Sequence, residues 1–252
     1  MTALVGAALD EGLLLARQDV LRGVRWDPPA PSVEDELIKP RFVDDAEIPT
    51  AAAVQALARA AAEQGPGVWW RELEVLLVAY SGLRWGEHAA LTADRVDVGL
   101  RRIVVDRQII ETRHAVKLGP PKSRRKRITM FPARTPGGVD LAAMVARRLA
   151  EISPDGLLFP SPGGQWARRS NYARNVFHPA ASAAGWPRTT NGRWAWTFHS
   201  LRHVFATWAL GQPGARIEDV SRLLGHSTIR VTQDIYIAPD ADLYDRFYTA
   251  TA

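Results

Sequence analysis

The stretch RIVVDRQII, residues 102–110, is where the chain changes its period. Ile103, Val104, Val105, Ile109 and Ile110 give it the β-branched density of a strand. Residues 95–99 before it and RITMF (127–131) after it share that character, so the three segments predict one small antiparallel sheet. Outward in both directions the pattern is helical. Upstream, Pro49-Thr50 opens TAAAVQALARAAAEQ with Thr50 as N-cap, and VWWRELEVLLVAY (68–80) predicts a largely buried helix halted at Ser81-Gly82. A short helix through Trp85–Leu91 follows. Downstream, helices are expected over 139–152, 168–185, 199–211, 216–224 and 228–237, with a tail helix near 241–248. The fold class is mainly α with a small three-stranded antiparallel sheet (α+β).

Farther out, residues 5–21 read as an amphipathic helix, and WDPPAPSVEDELIKP (26–40) has the composition of a linker. The chain therefore divides into a helix over 1–25, a Pro-rich linker over 26–48, a main domain over 49–240 and a tail over 241–252. Asp10 and Glu11 interrupt the apolar start and no basic leader precedes it, which argues against a signal peptide. No apolar run reaches membrane length, so a cytoplasmic setting is expected. Cysteine is absent, which excludes disulfides and thiolate ligands.

The net charge is +5, and its distribution says more than its size. KLGPPKSRRKR (117–127) holds Lys117, Lys122, Arg124, Arg125, Lys126 and Arg127 with no acid; those six set aside, 26 cations face 27 acids. Positive charge concentrated in one segment is an electrostatic footprint for phosphate, with nucleic acid as its commonest source. A solvated basic loop is the plain alternative.

Three further patterns carry chemistry. In YSGLRWGEHAAL (80–91) a buried helix ends at Gly82 and presents Arg84, a planar fork for phosphate oxygens, with Glu87 placed to orient it. In TFHSLRHVFATWAL (197–210) helical spacing puts His199, Arg202 and His203 on one face, opposite Leu201, Val204, Phe205 and Trp208. Unpaired charge at the start of an apolar helix is costly, and a bound phosphate relieves that cost. His199 and His203 also have the spacing of a helical zinc site, but Ser200 stands where a zinc protease carries Glu and Arg202 lies between the rings, so no metal is assigned. In VSRLLGHSTIRVTQDIYIAP (220–239) a helix ends at Gly225, His226 follows, and Tyr236 lies ten residues on. Taken singly, these strings also read as a surface ion pair, a polar helix start and a packing tyrosine.

Together, in this order, they resemble the tyrosine recombinase (phage integrase) family. The resemblance rests on GLRWGE, PPKSRRKR, HSLRH, LLGHS and the tyrosine of QDIYIAP, spread over 153 positions, and covers about residues 49–240. It implies the family's catalytic-domain fold and a phosphoryl transfer needing no cofactor. Tyr236 would attack a DNA phosphate and form a 3′-phosphotyrosyl link. Arg84, Arg202 and His226 would neutralise the phosphate oxygens, Lys122 would protonate the leaving 5′-oxygen, and His199 would relay the tyrosine proton. His203 and Glu87 would support the site, and Lys117, Arg124, Arg125, Lys126 and Arg127 would hold the DNA backbone. The implied partners are double-stranded DNA and further copies of the chain, as a tetramer, at the nucleoid.

Two departures qualify the resemblance. Such proteins carry an N-terminal core-binding domain, of which residues 1–25 leave room only for a last helix. His88 stands where an aliphatic residue is commoner, at a packing position. The readings weighed against an active recombinase are a truncated DNA-binding relic or regulator of the same fold, and a type IB topoisomerase. A helix-turn-helix regulator has only the Gly225 turn behind it.

Overall fold

A computed structural model describes residues 48–112, 115–122, 126–226, 228 and 232. Residues 1–47, with the expected helix and nearly all of the linker, and the tail lie outside these, as do Arg124, Arg125 and Tyr236 and most of the helix expected over 228–237.

Helix α1 (Ala51–Ala62) begins where the sequence places it, with the Thr50 hydroxyl accepting from the Ala53 amide at 3.2 Å. It packs on α2 (Trp70–Ala79), whose Leu73, Leu76 and Leu77 are fully buried and form the centre of the core with Leu57 of α1. Gly82 ends this unit with φ +67, a left-handed backbone that a side chain resists. A Cβ there would also meet Phe205 at 2.5 Å and Leu224 at 3.0 Å, so the glycine is required twice over. The chain then turns into the short α3 (Trp85–Ala89).

The strand region departs from expectation in one respect. A three-stranded antiparallel sheet forms from β1 (Val96–Asp97), β2 (Arg102–Val105) and β5 (Arg127–Met130) in the order β1-β2-β5. The segment 102–110 is two strands rather than one: β3 (Gln108–Glu111) leaves that sheet and pairs with β4 (Val116–Gly119). The break falls at Asp106-Arg107, where the Asp106 carboxylate draws in Arg107 at 3.0 Å and Arg95 at 3.3 Å. The apolar run hides this break because Ile and Val continue on both sides of it.

Helix α4 (Leu141–Ala150) covers α2 on another side, capped by the Asp140 carboxylate. The helix expected over 168–185 is present but wound unevenly, as α5 (Arg169–Tyr172), a wide π turn (Ala173–Phe177) and α6 (His178–Ala183). Pro179 has no N–H to return to the preceding turn, which accounts for the widening. Helices α7 (Ser200–Leu210) and α8 (Ile217–Leu224) complete the described fold, and α7 packs against both α2 and α8. On α7, Leu201, Val204 and Phe205 are buried as expected, whereas Trp208 is only partly so. No helix among the described residues is long and apolar enough to cross a membrane.

Candidate active site

The site is organised around the end of one helix. The last carbonyls of an α-helix have no partner within it and carry the negative end of its dipole. Here α8 closes in a Schellman turn: Gly225 adopts φ 67, its N–H bonds to the Arg222 carbonyl, and the His226 N–H reaches the Ser221 carbonyl at 3.1 Å. The next three carbonyls are each taken by an arginine from elsewhere in the chain. Arg127 donates to Leu223 at 2.8 Å, Arg202 to Leu224 at 2.6 Å and Arg84 to Gly225 at 3.0 Å. LLGHS therefore does more than deliver His226. It is the anchor on which three guanidinium groups are set.

Glu87 locks the arrangement. Only 2% exposed, it accepts from the Arg84 backbone at 2.9 Å and side chain at 3.0 Å, and binds Arg127 through both oxygens at 2.7 and 2.6 Å. Burial pushes its carboxyl pKa up, but the bonds and charge of Arg127, with Arg84, overcome this and hold it below the usual value. The expected pair with Arg84 is thus present, as one edge of a buried triad. Period-two alternation in β5 puts Arg127 and Thr129 on the inward face, with Ile128 exposed between them. Thr129 spends its hydroxyl on the Ser81 carbonyl at 2.8 Å, fixing the turn that delivers Arg84. Arg127 is accordingly turned inward, unlike the exposed Lys117, Lys122 and Lys126.

Arg202, on α7 and 3% exposed, donates at 2.5 Å to the Gly82 carbonyl as well as to Leu224. His199 and His203 stand edge to face with ring centres 5.0 Å apart. Nδ1 of His226 is 2.7 Å from the Thr232 hydroxyl. All three histidines are held below their ordinary pKa, in each case first by burial. For His199 the next causes are Arg202, Arg169, Arg84 and Lys122; His203 is lowered to about 4 and His226 to about 3. They are neutral at pH 7 when no anion is bound.

Arg84, Lys122 and His199 line one open cleft of about 440 Å³. Lys122 is exposed in the turn after β4, and β4 and β5 belong to different sheets. Lys117 on β4 and Lys126 before β5 are also exposed.

Some site features were not apparent in the sequence. The same cleft is lined by Trp85, Gln108, Glu111 and Arg169, the last hidden in the basic pair of WARRSNY. Thr232, the partner of His226, is one of several small polar residues in HSTIRVT. His88 does pack, against Phe159 and Trp85, but it also forms a buried 2.7 Å bond with Glu74. Glu74 gives no sign of this within the apolar run of α2.

The profile of the phage integrase family matches residues 49–242. A search of curated protein sequences returned no match. Among solved structures, the Tn1549 transposon integrase in complex with transposon right end DNA superposes with a TM-score of 0.58 at 19% identity, over 100% of this chain and 76% of that one. XerA recombinase gives 0.52 at 21%, over 89% and 67% of the two chains. XerH site-specific recombinase bound to difH substrate gives 0.53 at 18%, over 83% and 53%. These likenesses carry the fold, an α+β tyrosine recombinase catalytic domain, and the profile carries the family: the chain belongs to the phage integrase family.

Proposed function

We propose that this chain cleaves and rejoins double-stranded DNA through a covalent phosphotyrosine. The observation that carries the reading is the shared anchoring of Arg84 and Arg202 on the C-terminus of α8, one residue before His226, beside a cleft that also holds His199 and Lys122. Cations and neutral imidazoles fixed before substrate arrives are what a phosphoryl transfer needs, since most of its catalysis is positioning and charge stabilisation.

In this reading Tyr236 attacks the scissile phosphorus. Its proton passes to His199, which burial and the surrounding cations keep neutral and able to accept it. The bond from phosphorus to the 5′-oxygen breaks as the phosphotyrosyl bond forms, and Lys122 supplies the proton that the leaving oxygen takes up. Arg84 and Arg202 compensate the charge on the non-bridging oxygens. With the Thr232 hydroxyl donating to Nδ1, His226 adds a neutral N–H donor from its other nitrogen. Glu87 and His203 hold these groups in place. Bond energy is kept in the phosphotyrosine, so rejoining by a 5′-hydroxyl needs no ATP, and strand exchange between sites requires copies of the chain to assemble on DNA.

The tyrosine assignment draws support from the two described tyrosines. Tyr80 is buried in the core and its hydroxyl is pushed up to about 12; Tyr172 is raised well above its usual value by burial and then by Glu74. Neither reaches solvent as a nucleophile must. The test is covalent capture on a library of nicked duplexes of randomised sequence, followed by mapping of the modified residue. An adduct on Tyr236 that disappears in Tyr236→Phe is the expected outcome. Adduct on Tyr244 or Tyr248 overturns the nucleophile, and no adduct on any duplex favours a DNA-binding relic.

A further inference from the structure

We infer that Arg169 is a further phosphate-binding residue of the cleft, gripping a DNA phosphodiester next to the scissile one, and that Glu111 is the residue that positions it. The inference rests on the proposed DNA-cleaving function and extends its contact surface.

Arg169 is the first residue of α5 and lines the same cleft as Arg84, Lys122 and His199. Its side chain is exposed and, among the described residues, makes no hydrogen bond or ion pair. The other cations named at the heart of the site, Arg84, Arg127 and Arg202, are all committed to protein carbonyls or to Glu87. Arg169 differs in that only its backbone is held. The Glu111 carboxylate accepts its amide at 2.9 and 3.1 Å, and the same Oε1 accepts the Trp85 indole N–H at 2.9 Å.

The link has a geometric consequence. Trp85 follows Arg84 directly in the chain, so Glu111 ties the neighbour of one phosphate-binding arginine to the backbone of another across the cleft. The spacing of Arg84 and Arg169 is thereby fixed through β3. Gly86 is the residue that lets β3 come this close, since a Cβ there would meet the Ile109 carbonyl at 2.7 Å. An acid in a cleft meant for DNA would ordinarily repel it. Glu111 is tolerated because its charge is already engaged by two N–H donors. Arg169 also ranks ahead of Arg84 and Lys122 among the charges that depress His199, which places its positive field at the reacting end of the cleft.

The experiment uses the full chain carrying Tyr236→Phe and a 30-base-pair duplex of random sequence, with affinity measured against potassium chloride concentration. One phosphate contact contributes about 0.9 to the slope of log K against log salt. Arg169→Ala leaves the backbone bond to Glu111 in place, so it removes the guanidinium alone. It is expected to lower the slope by about 0.9, with Arg169→Lys restoring it. Arg174→Ala, on the same helix but outside the cleft lining, is expected to leave it unchanged. Glu111→Ala discriminates further: simple electrostatics predicts tighter binding once an acid is lost, whereas a positioning role predicts severalfold weaker binding at an unchanged melting temperature. A slope untouched by Arg169→Ala, an equal loss from Arg174→Ala, or tighter binding by Glu111→Ala overturns the inference. Binding is read in a chain that cannot form the adduct, so failure of the capture experiment is separable from failure here. A parent chain whose affinity does not fall with salt overturns the nucleic-acid reading itself.

Discussion

Glu87 shows how far one residue's role can lie from what its spacing suggests. An Arg–Glu pair three residues apart on a helix surface is worth about 0.5 kcal/mol. Buried between Arg84 and Arg127, the same carboxylate balances two guanidinium groups and fixes both. Removing one partner of a buried ionic cluster leaves charge uncompensated and costs about 3–5 kcal/mol. Glu87→Ala is therefore expected to lower unfolding free energy by that amount in denaturant titration, and Glu87→Gln to recover little of it, because its amide keeps one acceptor oxygen and turns an NH2 donor toward N–H groups that already donate; a loss near 0.5 kcal/mol would return it to the status of a surface pair. The cationic loop divides along similar lines. Lys122 lines the cleft while Lys126 does not, although the sequence offers them as equals. Lys122→Ala is expected to slow cleavage of a nicked substrate by at least tenfold more than Lys126→Ala, which mainly flattens the salt dependence of binding. Equal effects on cleavage would remove the proton-donor role. Legibility at this scale followed chemistry: Arg84, His199, Arg202 and His226 were readable because helix ends and helix faces have fixed spacing, whereas Arg127 looked like one more loop cation. Only its pairing with β2 reveals that it points inward.

At the scale of elements, the helices were readable and the sheet was only partly so. Thr50, Gly82 and Gly225 punctuate α1, α2 and α8 by local chemistry, and local chemistry is what a sequence carries. The transfer of the chain from β2 to β3 depends instead on where Asp106 finds its arginines, a tertiary matter. The junction of α2 and α3 depends on a second contact of that kind. Glu74 in α2 and His88 in α3 bond at 2.7 Å with both side chains almost wholly buried. His88→Leu supplies the aliphatic side chain that the packing position suggests, yet it strands the Glu74 carboxylate in a dry interior. It is expected to cost about 2–4 kcal/mol in stability, and a second change, Glu74→Leu, is expected to recover part of the loss. If the single variant is as stable as the parent, the pair is incidental and His88 is simply filling space.

At the scale of the molecule, Arg84, Arg127 and Arg202 converge from three parts of the chain on the C-terminus of α8, and the three histidines beside them are kept neutral first by burial and then by neighbouring charge. Under the proposed function, this ties folding and DNA binding to pH with opposite signs. His203 and His226 titrate at about 4 and about 3 in the folded chain, after burial and after neighbours that include His199, Arg202 and Arg84. Unfolded, they titrate near 6.5. Below that pH the unfolded chain binds protons that the folded chain refuses, so the stability is fully present above about 6.5 and drains away as pH falls toward 4. One fully shielded histidine loses about 1.4 kcal/mol per pH unit in that window, and partial exposure reduces it. Carboxylates such as Glu87 enter only at lower pH, so the interval from 6.5 to 5 isolates the imidazoles. The DNA-free chain is expected to melt at progressively lower temperature across that interval, and His203→Gln with His226→Gln to remove much of the drop. A bound phosphate supplies the negative charge that the site lacks and raises both pKa values, so binding takes up protons. Affinity for a random duplex should therefore rise between pH 7 and 5.5 while the free protein weakens. A chain whose melting temperature and affinity both ignore pH in this range would mean that the histidines do not sense the cationic cluster at all.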